Sequence, residues 1–159
     1  MIPKIIHQIW VGPLPKPAGM MKTWKTLHPD YTFIEWNNVT VRQGNFRNWA
    51  LIQKMWARKK WPSVADLVRY EVLRRYVYFV AAADSVALHP ITDLLSLEGF
   101  VCHVPKRNKE SFLVPIIGAH PGDRLMEMCI REVVAAPAVW QKGLPWLFTG
   151  NAFISRMLL

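Results

Sequence analysis

The run VYFVAAA at residues 77–83 constrains the fold more than any other segment: it is uncharged, of strand length, entered from a helical pattern and stopped by a carboxylate, Asp84. A strand without polar alternation is apolar on both faces. Both faces of its sheet must then be covered, as for a central strand in an α/β sandwich. An acid at the end of such a strand is held by the sheet and reached through the loop, an arrangement suited to a cation or a sugar hydroxyl.

The helix feeding this strand is expected to start at Pro62 and Ser63, with Asp66 three residues past the cap in a capping-box pattern that carries Asp instead of Glu. Val64, Leu67, Val68, Val72 and Leu73 form its apolar stripe. Asp66 and Arg69 lie one turn apart, so they either make a surface ion pair or point together toward a ligand.

Upstream, Ile5, Ile6, Ile9 and Trp10 favour a strand, and VGPLPKPAG then breaks regular structure. A short helix over 19–28 ends before Pro29, and YTFIEW alternates as a second strand, which makes a β-α-β opening. Between Asn37 and Pro62 the pattern is helical, with Phe46, Trp49, Ile52 and Trp56 at three- and four-residue intervals. The opposite face carries Arg42, Arg47, Lys54, Arg58, Lys59 and Lys60. Interleaved aromatic and basic residues are one way to grip single-stranded nucleic acid, but the helical spacing favours a solvated face.

After Asp84, FVCHV and FLVPIIGAH read as strands, DRLMEMCIREVVAA as an amphipathic helix opened by Asp123, and NAFISRMLL as a helix beginning at Asn151. Antiparallel pairing is possible in this later part. With 159 residues, 52% hydrophobic and 19% charged, the chain suits one domain over residues 1–159. No transmembrane segment or signal-like apolar core is present in the sequence, and a soluble, cytoplasmic chain is expected. The eight tryptophans are expected mainly in the core.

A net charge of +9 favours an anionic partner: a nucleotide diphosphate, an acidic glycan, a lipid headgroup or nucleic acid. Cys102 and Cys129 sit in apolar surroundings and read as buried thiols. The five histidines are scattered. His89, five residues beyond Asp84, reads as a loop histidine bonded to backbone sooner than as a metal ligand.

Several motifs occur in order along the chain: IPKIIHQIWVGPLP, HPDYTFIEW, ADLVRYEVLRRY before a strand and acid, ALHP, IIGAHPGD and FTGNAFISRML. Together they resemble glycosyltransferases of family 32, the DXD sugar-binding group that includes mannosyltransferases and capsular-polysaccharide transferases. The resemblance implies a GT-A-like nucleotide-sugar-binding domain, a mixed central sheet flanked by helices. It also implies retaining transfer of a hexose from a UDP- or GDP-linked donor to a glycan or other hydroxyl acceptor, helped by Mn2+ or Mg2+. It places Ile9, Trp10, Val11 and Gly12 near the donor base, with Trp10 either stacked on it or part of the core. Asp66 and Arg69 fall near the donor sugar and phosphate, and Ala82, Gly150 and Asn151 in the donor site.

The family's Gly-Gly pair and Asp-x-Asp correspond here to Val77, Tyr78 and the triplet Ala82-Ala83-Asp84, so one acid remains. Asp84 is the expected metal ligand, and with Arg69 it carries the catalytic assignment. One carboxylate is a weak anchor for a hard cation, which then depends on the diphosphate for further oxygens. Arg74, Arg75 and Lys106 are further cations within conceivable reach of phosphate, although solvated positions are the simpler reading. Relatives also continue past the last motif, so the domain reads as C-terminally shortened. The competing reading is a catalytically impaired relative that binds nucleotide or glycan, or acts as an interaction domain.

Overall fold

A computed structural model of the chain describes residues 2–76, 78–97, 99–105 and 111–158, with backbone alone described at 78, 100–105 and 111–115. Val77 and Lys106 lie outside these residues, as do the side chains of Cys102 and His103. The first half is the expected β-α-β unit of β1 (Ile5–Ile9), α1 (Ala18–Leu27) and β2 (Thr32–Trp36), followed by α2 (Thr40–Gln43), α3 (Trp49–Ala57) and α4 (Trp61–Arg75). Then come β3 (Tyr78–Ala82), β4 (Phe100–Pro105), β5 (Ser111–Ala119), α5 (Arg124–Ala135), α6 (Pro145–Phe148) and α7 (Asn151–Met157), with short 3-10 turns at Thr92–Ser96 and Trp140–Lys142.

The strands make one mixed sheet in the order β2-β1-β3-β5-β4. β1 runs parallel to both β2 and β3, whereas β5 runs antiparallel to β3 and β4. β3 is central, as its unbroken apolarity requires, and its side chains feed two separate cores. Val80 joins Ile117 and the helices α3, α4, α5 and α7 on one face, while Phe79 and Ala81 join Ile2, Ile6, Trp24 and Leu95 on the other. The fold is therefore an α/β sandwich with apolar layers on both sides of the sheet.

Helix α4 is buried around most of its circumference, with every residue from Asp66 to Leu73 inaccessible or nearly so. It packs against α3, α5 and α6 and against β1, β3 and β5. The buried carboxylate of Glu71 accepts from the Asn48 N–H at 2.7 Å and from Arg74 at 3.4 Å.

Three expectations need correction. The capping box does not form: α4 begins at Trp61, and Ser63 is buried inside its first turns. The reason lies in the link from α3, where Lys59 adopts a left-handed conformation (φ 56) while the Lys60 N–H donates to Met55 O and the Lys59 N–H to Trp56 O. This six-to-one closure leaves no room for a separate cap, and Pro62 has no N–H needing one.

Second, the helical pattern of 37–62 is two helices. The Phe46 ring packs where a Gly44 side chain would stand, at 2.3 Å from the Cβ position, so the chain turns there. Ile52 and Met55 then make the buried stripe of α3, with Trp49 and Trp56 half-buried.

Third, of the eight tryptophans Trp24 is buried, five are half-buried, and Trp140 and Trp146 are exposed. Asp123 does cap α5, accepting from the Met126 N–H at 3.1 Å, and Cys129 is a buried free thiol. Among the described residues no helix is long and apolar enough to cross a membrane.

Candidate functional site

Strands β1 and β3 are parallel neighbours with Ile9 opposite Ala82, so their carboxyl ends release Trp10 and Ala83 side by side. β2 lies on the other side of β1, and the chain crosses over from β2 to reach β3. Loops leaving such a switch point diverge and open a crevice beyond the strand ends. A cleft of about 370 Å³ occupies this place. Its walls are Ile9, Trp10, Val11, Pro13 and Leu14 from the β1 end, Ala82, Ala83 and Asp84 from the β3 end, and Trp61, Pro62, Ala65, Asp66 and Arg69 from the start of α4.

Asp66 and Arg69 meet in a buried pair, each 8% exposed, rather than in a surface contact. Arg69 Nη1 donates to Asp66 Oδ1 at 2.7 Å, and the Thr149 hydroxyl reaches Asp66 Oδ2 at 3.0 Å. Burial pushes the Asp66 carboxyl above its ordinary range, against the charge of Arg69 and the hydrogen bonds from Thr149 and Arg69. The Arg69 Nε–H is buried without a hydrogen-bond partner in the described structure. A guanidinium anchored at one end by a carboxylate and unsatisfied at another donor is oriented for a second acceptor.

Gly150 stands behind this pair. A Cβ there would lie 2.8 Å from Trp146 Cα and 3.2 Å from Asp66 Oδ2, so glycine permits α6 and α7 to close on the carboxylate. Neither Gly150 nor Asn151 lines the cleft, and Asn151 is the first residue of α7.

Gly12 is placed between Val11 and Pro13 without lining the cleft itself. Its φ of 112 falls in the region that favours glycine, and a Cβ would approach the Trp61 ring to 2.9 Å. Asn38 clamps it from both sides, accepting from the Gly12 N–H at 2.8 Å and donating to its carbonyl at 2.9 Å. Trp10 is half-buried, and its indole N–H donates to Leu14 O at 3.0 Å, which shapes the loop around the ring.

Asp84 is exposed, in a tight turn where the Ser85 N–H and hydroxyl both donate to Ala82 O, at 3.1 and 2.6 Å. The turn is tied to α1 by Trp24 Nε1 donating to Ser85 O and by the Ala87 N–H donating to Thr23 Oγ1. Sequence reading did not single out Asn38, Thr149, Ser85, Thr23 or Trp61 for this site. The glycines and the Asn-Asn and Ser-Val loops beside them were visible, but their partners lie far along the chain.

Among the described residues no three His, Cys, Asp or Glu side chains gather as a metal cluster. Both oxygens of Asp66 are engaged, whereas the Asp84 carboxylate has no partner among the described residues. That donor set fits a hard cation that takes most of its ligands from a bound diphosphate and water. His89 is exposed and does not line the cleft. Arg74 pairs with Glu71, Arg75 donates to Asn45 O at 3.0 Å, and neither lines the cleft. The basic residues of 42–60 are mostly solvated, and Arg47 pairs with Glu127 at 3.2 Å.

No protein-family model matches the chain. Inositol phosphoceramide mannosyltransferase 3 of Schizosaccharomyces pombe (strain 972 / ATCC 24843) is 34% identical over 83 residues, covering 47% of this chain and 22% of that protein. The chain thus spans about a fifth of the length of this curated relative. The solved PaToxG glycosyltransferase superposes with a TM-score of 0.76, at 14% identity, over 99% of this chain and 69% of that one. The α/β fold expected from the sequence is therefore one that this chain shares with that solved protein.

Proposed function

We propose that the chain is the donor-binding core of a retaining, GT-A-type glycosyltransferase that moves a hexose from a UDP- or GDP-linked donor to a hydroxyl of a glycan or other acceptor. One observation carries this reading: a buried, carboxylate-anchored arginine with an unsatisfied Nε–H lines the same cleft as a half-buried tryptophan and an exposed aspartate. The partial identity with a mannosyltransferase and the shared fold support it, and they make mannose the first sugar to test.

In this reading Trp10 takes the donor base and Arg69 the diphosphate. Breaking the sugar–phosphate bond leaves negative charge on the diphosphate, so a positive group already in place lowers the barrier without reorganisation. Asp66 holds the guanidinium and limits its rotation, and Thr149 holds Asp66. A cation ligated by Asp84 would neutralise part of the same developing charge when bound with the donor. Ile9, Val11 and Ala82 add apolar lining to the same cleft, which disfavours water there.

The single uncommitted carboxylate also favours a second reading, a binding protein with impaired transfer. Hydrolysis of UDP- and GDP-hexoses in the presence of Mn2+ separates the two. Turnover that is lost in Asp84→Ala supports the enzyme. Tight donor binding with no turnover of any donor supports the binding protein, and metal-stimulated turnover that survives the substitution removes Asp84 from the scheme.

A further inference from the structure

The surface beside α6 combines features the cleft does not use. Val139, Trp140, Leu144, Trp146 and Leu147 are between 42% and 68% exposed. Clusters of large apolar side chains at that exposure usually mark an interaction surface. They fall within residues 139–147, and Arg156 ties the two ends of that stretch: its guanidinium lies 5.3 Å from the Trp140 ring centroid and donates to Leu147 O at 2.8 Å.

The rim is cationic. Lys60 Nζ donates to Gly143 O at 2.6 Å and to Gln141 O at 3.1 Å, and Lys54 donates to Gln141 Oε1 at 2.5 Å. These bonds draw the basic end of α3 against the 3-10 turn. Lys142 and Arg156 add two more cations to this surface, and residues 133–159 hold no Asp or Glu. Of Lys54, Lys60, Lys142 and Arg156, none makes an ion pair among the described residues. The rim's charges are therefore left for an external anion.

Lys59 is exposed and precedes the Lys60 that bonds to this turn. It occupies the left-handed position that ends α3, where glycine is the usual residue and a side chain costs about 1 kcal/mol.

We propose that this surface docks the protein on an anionic membrane, with Trp140, Leu144 and Leu147 entering the interface and Lys59, Lys142 and Arg156 facing the headgroups. Aromatic side chains with a polar tip and basic side chains with long apolar stems are the groups that favour that boundary. The proposal is independent of what occupies the cleft. The two surfaces are nevertheless adjacent, since Trp146 and Asp66 both approach Gly150 closely.

The test is cosedimentation with vesicles of phosphatidylcholine alone or with about a third phosphatidylserine. Binding is expected to the anionic vesicles only, to weaken with salt, and to fall about tenfold or more in Trp140→Ser/Leu144→Ser, with circular dichroism confirming the fold. Lys59→Gly relieves the strained backbone while deleting a charge, so it is expected to melt higher yet bind about fivefold less. Absence of binding, equal binding to neutral vesicles, or unchanged binding by both variants would overturn the proposal. So would a concentration-dependent dimer, abolished by Trp140→Ser/Leu144→Ser, that does not bind vesicles.

Discussion

Replacing Thr149 by valine deletes one hydroxyl from behind the cleft and preserves the shape around it. Thr149 is fully buried, and its hydroxyl lies 3.0 Å from Asp66 Oδ2 and 3.2 Å from Pro145 O. A hydroxyl has one proton to give. Pro145 O already accepts from the N–H groups of Thr149 at 2.8 Å and Gly150 at 3.0 Å, so the proton goes to the carboxylate. Valine leaves Asp66 Oδ2 buried and unpaired, at a cost of about 1–3 kcal/mol and with no cavity term to confuse the reading. For a chain of this size each kcal/mol moves the melting point by about 2–4 °C. Urea unfolding should show a lower midpoint at unchanged slope. In a double-mutant cycle with Asp66→Asn, coupling of about 1 kcal/mol or more is expected. A Thr149→Val protein within about 0.5 kcal/mol of the parent, or additive singles, would refute the claim that Thr149 holds Asp66.

Three further outcomes follow from the packing. His7 is buried and accepts the Trp36 indole N–H at Nδ1, so it must stay neutral, and burial lowers its pKa to about 4 from an ordinary 6.5. The unfolded chain therefore binds the extra proton first, and stability should fall as pH drops from about 6.5 to about 4, by about 3 kcal/mol in all; His7→Gln should flatten that part of the profile. Gly12→Ala forces a Cβ against the Trp61 ring at positive φ, and should cost about 1–3 kcal/mol in denaturant while weakening any ligand of the cleft. Burial raises the Cys129 thiol to about 12, so in a Cys102→Ser background a thiol reagent at pH 8 should label Cys129 only as fast as the protein opens.

The sheet was largely legible because its signals are local. The apolar run before Asp84 demanded a central strand, and alternation in YTFIEW marked a flanking one. The placement of Trp10, Asp66 and Arg69 beside Asp84 was expected from the family resemblance rather than from the residues alone, and all four line one cleft. What was not legible depends on distant partners. Thr149 lies 83 residues from the aspartate it serves, and Asn38 lies 26 residues from Gly12. The burial of Glu71 and Arg69 was hidden because polar residues in a helix normally signal a wet face, and α4 is instead enclosed by neighbouring helices and the sheet. The exposed tryptophans misled for the opposite reason: apolarity does not distinguish a core from a docking surface.

The central claim is that Arg69, fixed by Asp66, receives a nucleotide diphosphate in the cleft between the ends of β1 and β3. Isothermal titration of UDP and GDP into the parent protein and into Arg69→Met and Trp10→Ala tests it most directly. The account predicts saturable binding to the parent, weakened about tenfold to a hundredfold in Arg69→Met, as expected for losing charge-assisted hydrogen bonds, and to a smaller degree in Trp10→Ala. Binding of equal strength in all three proteins, each shown to be folded, would contradict it.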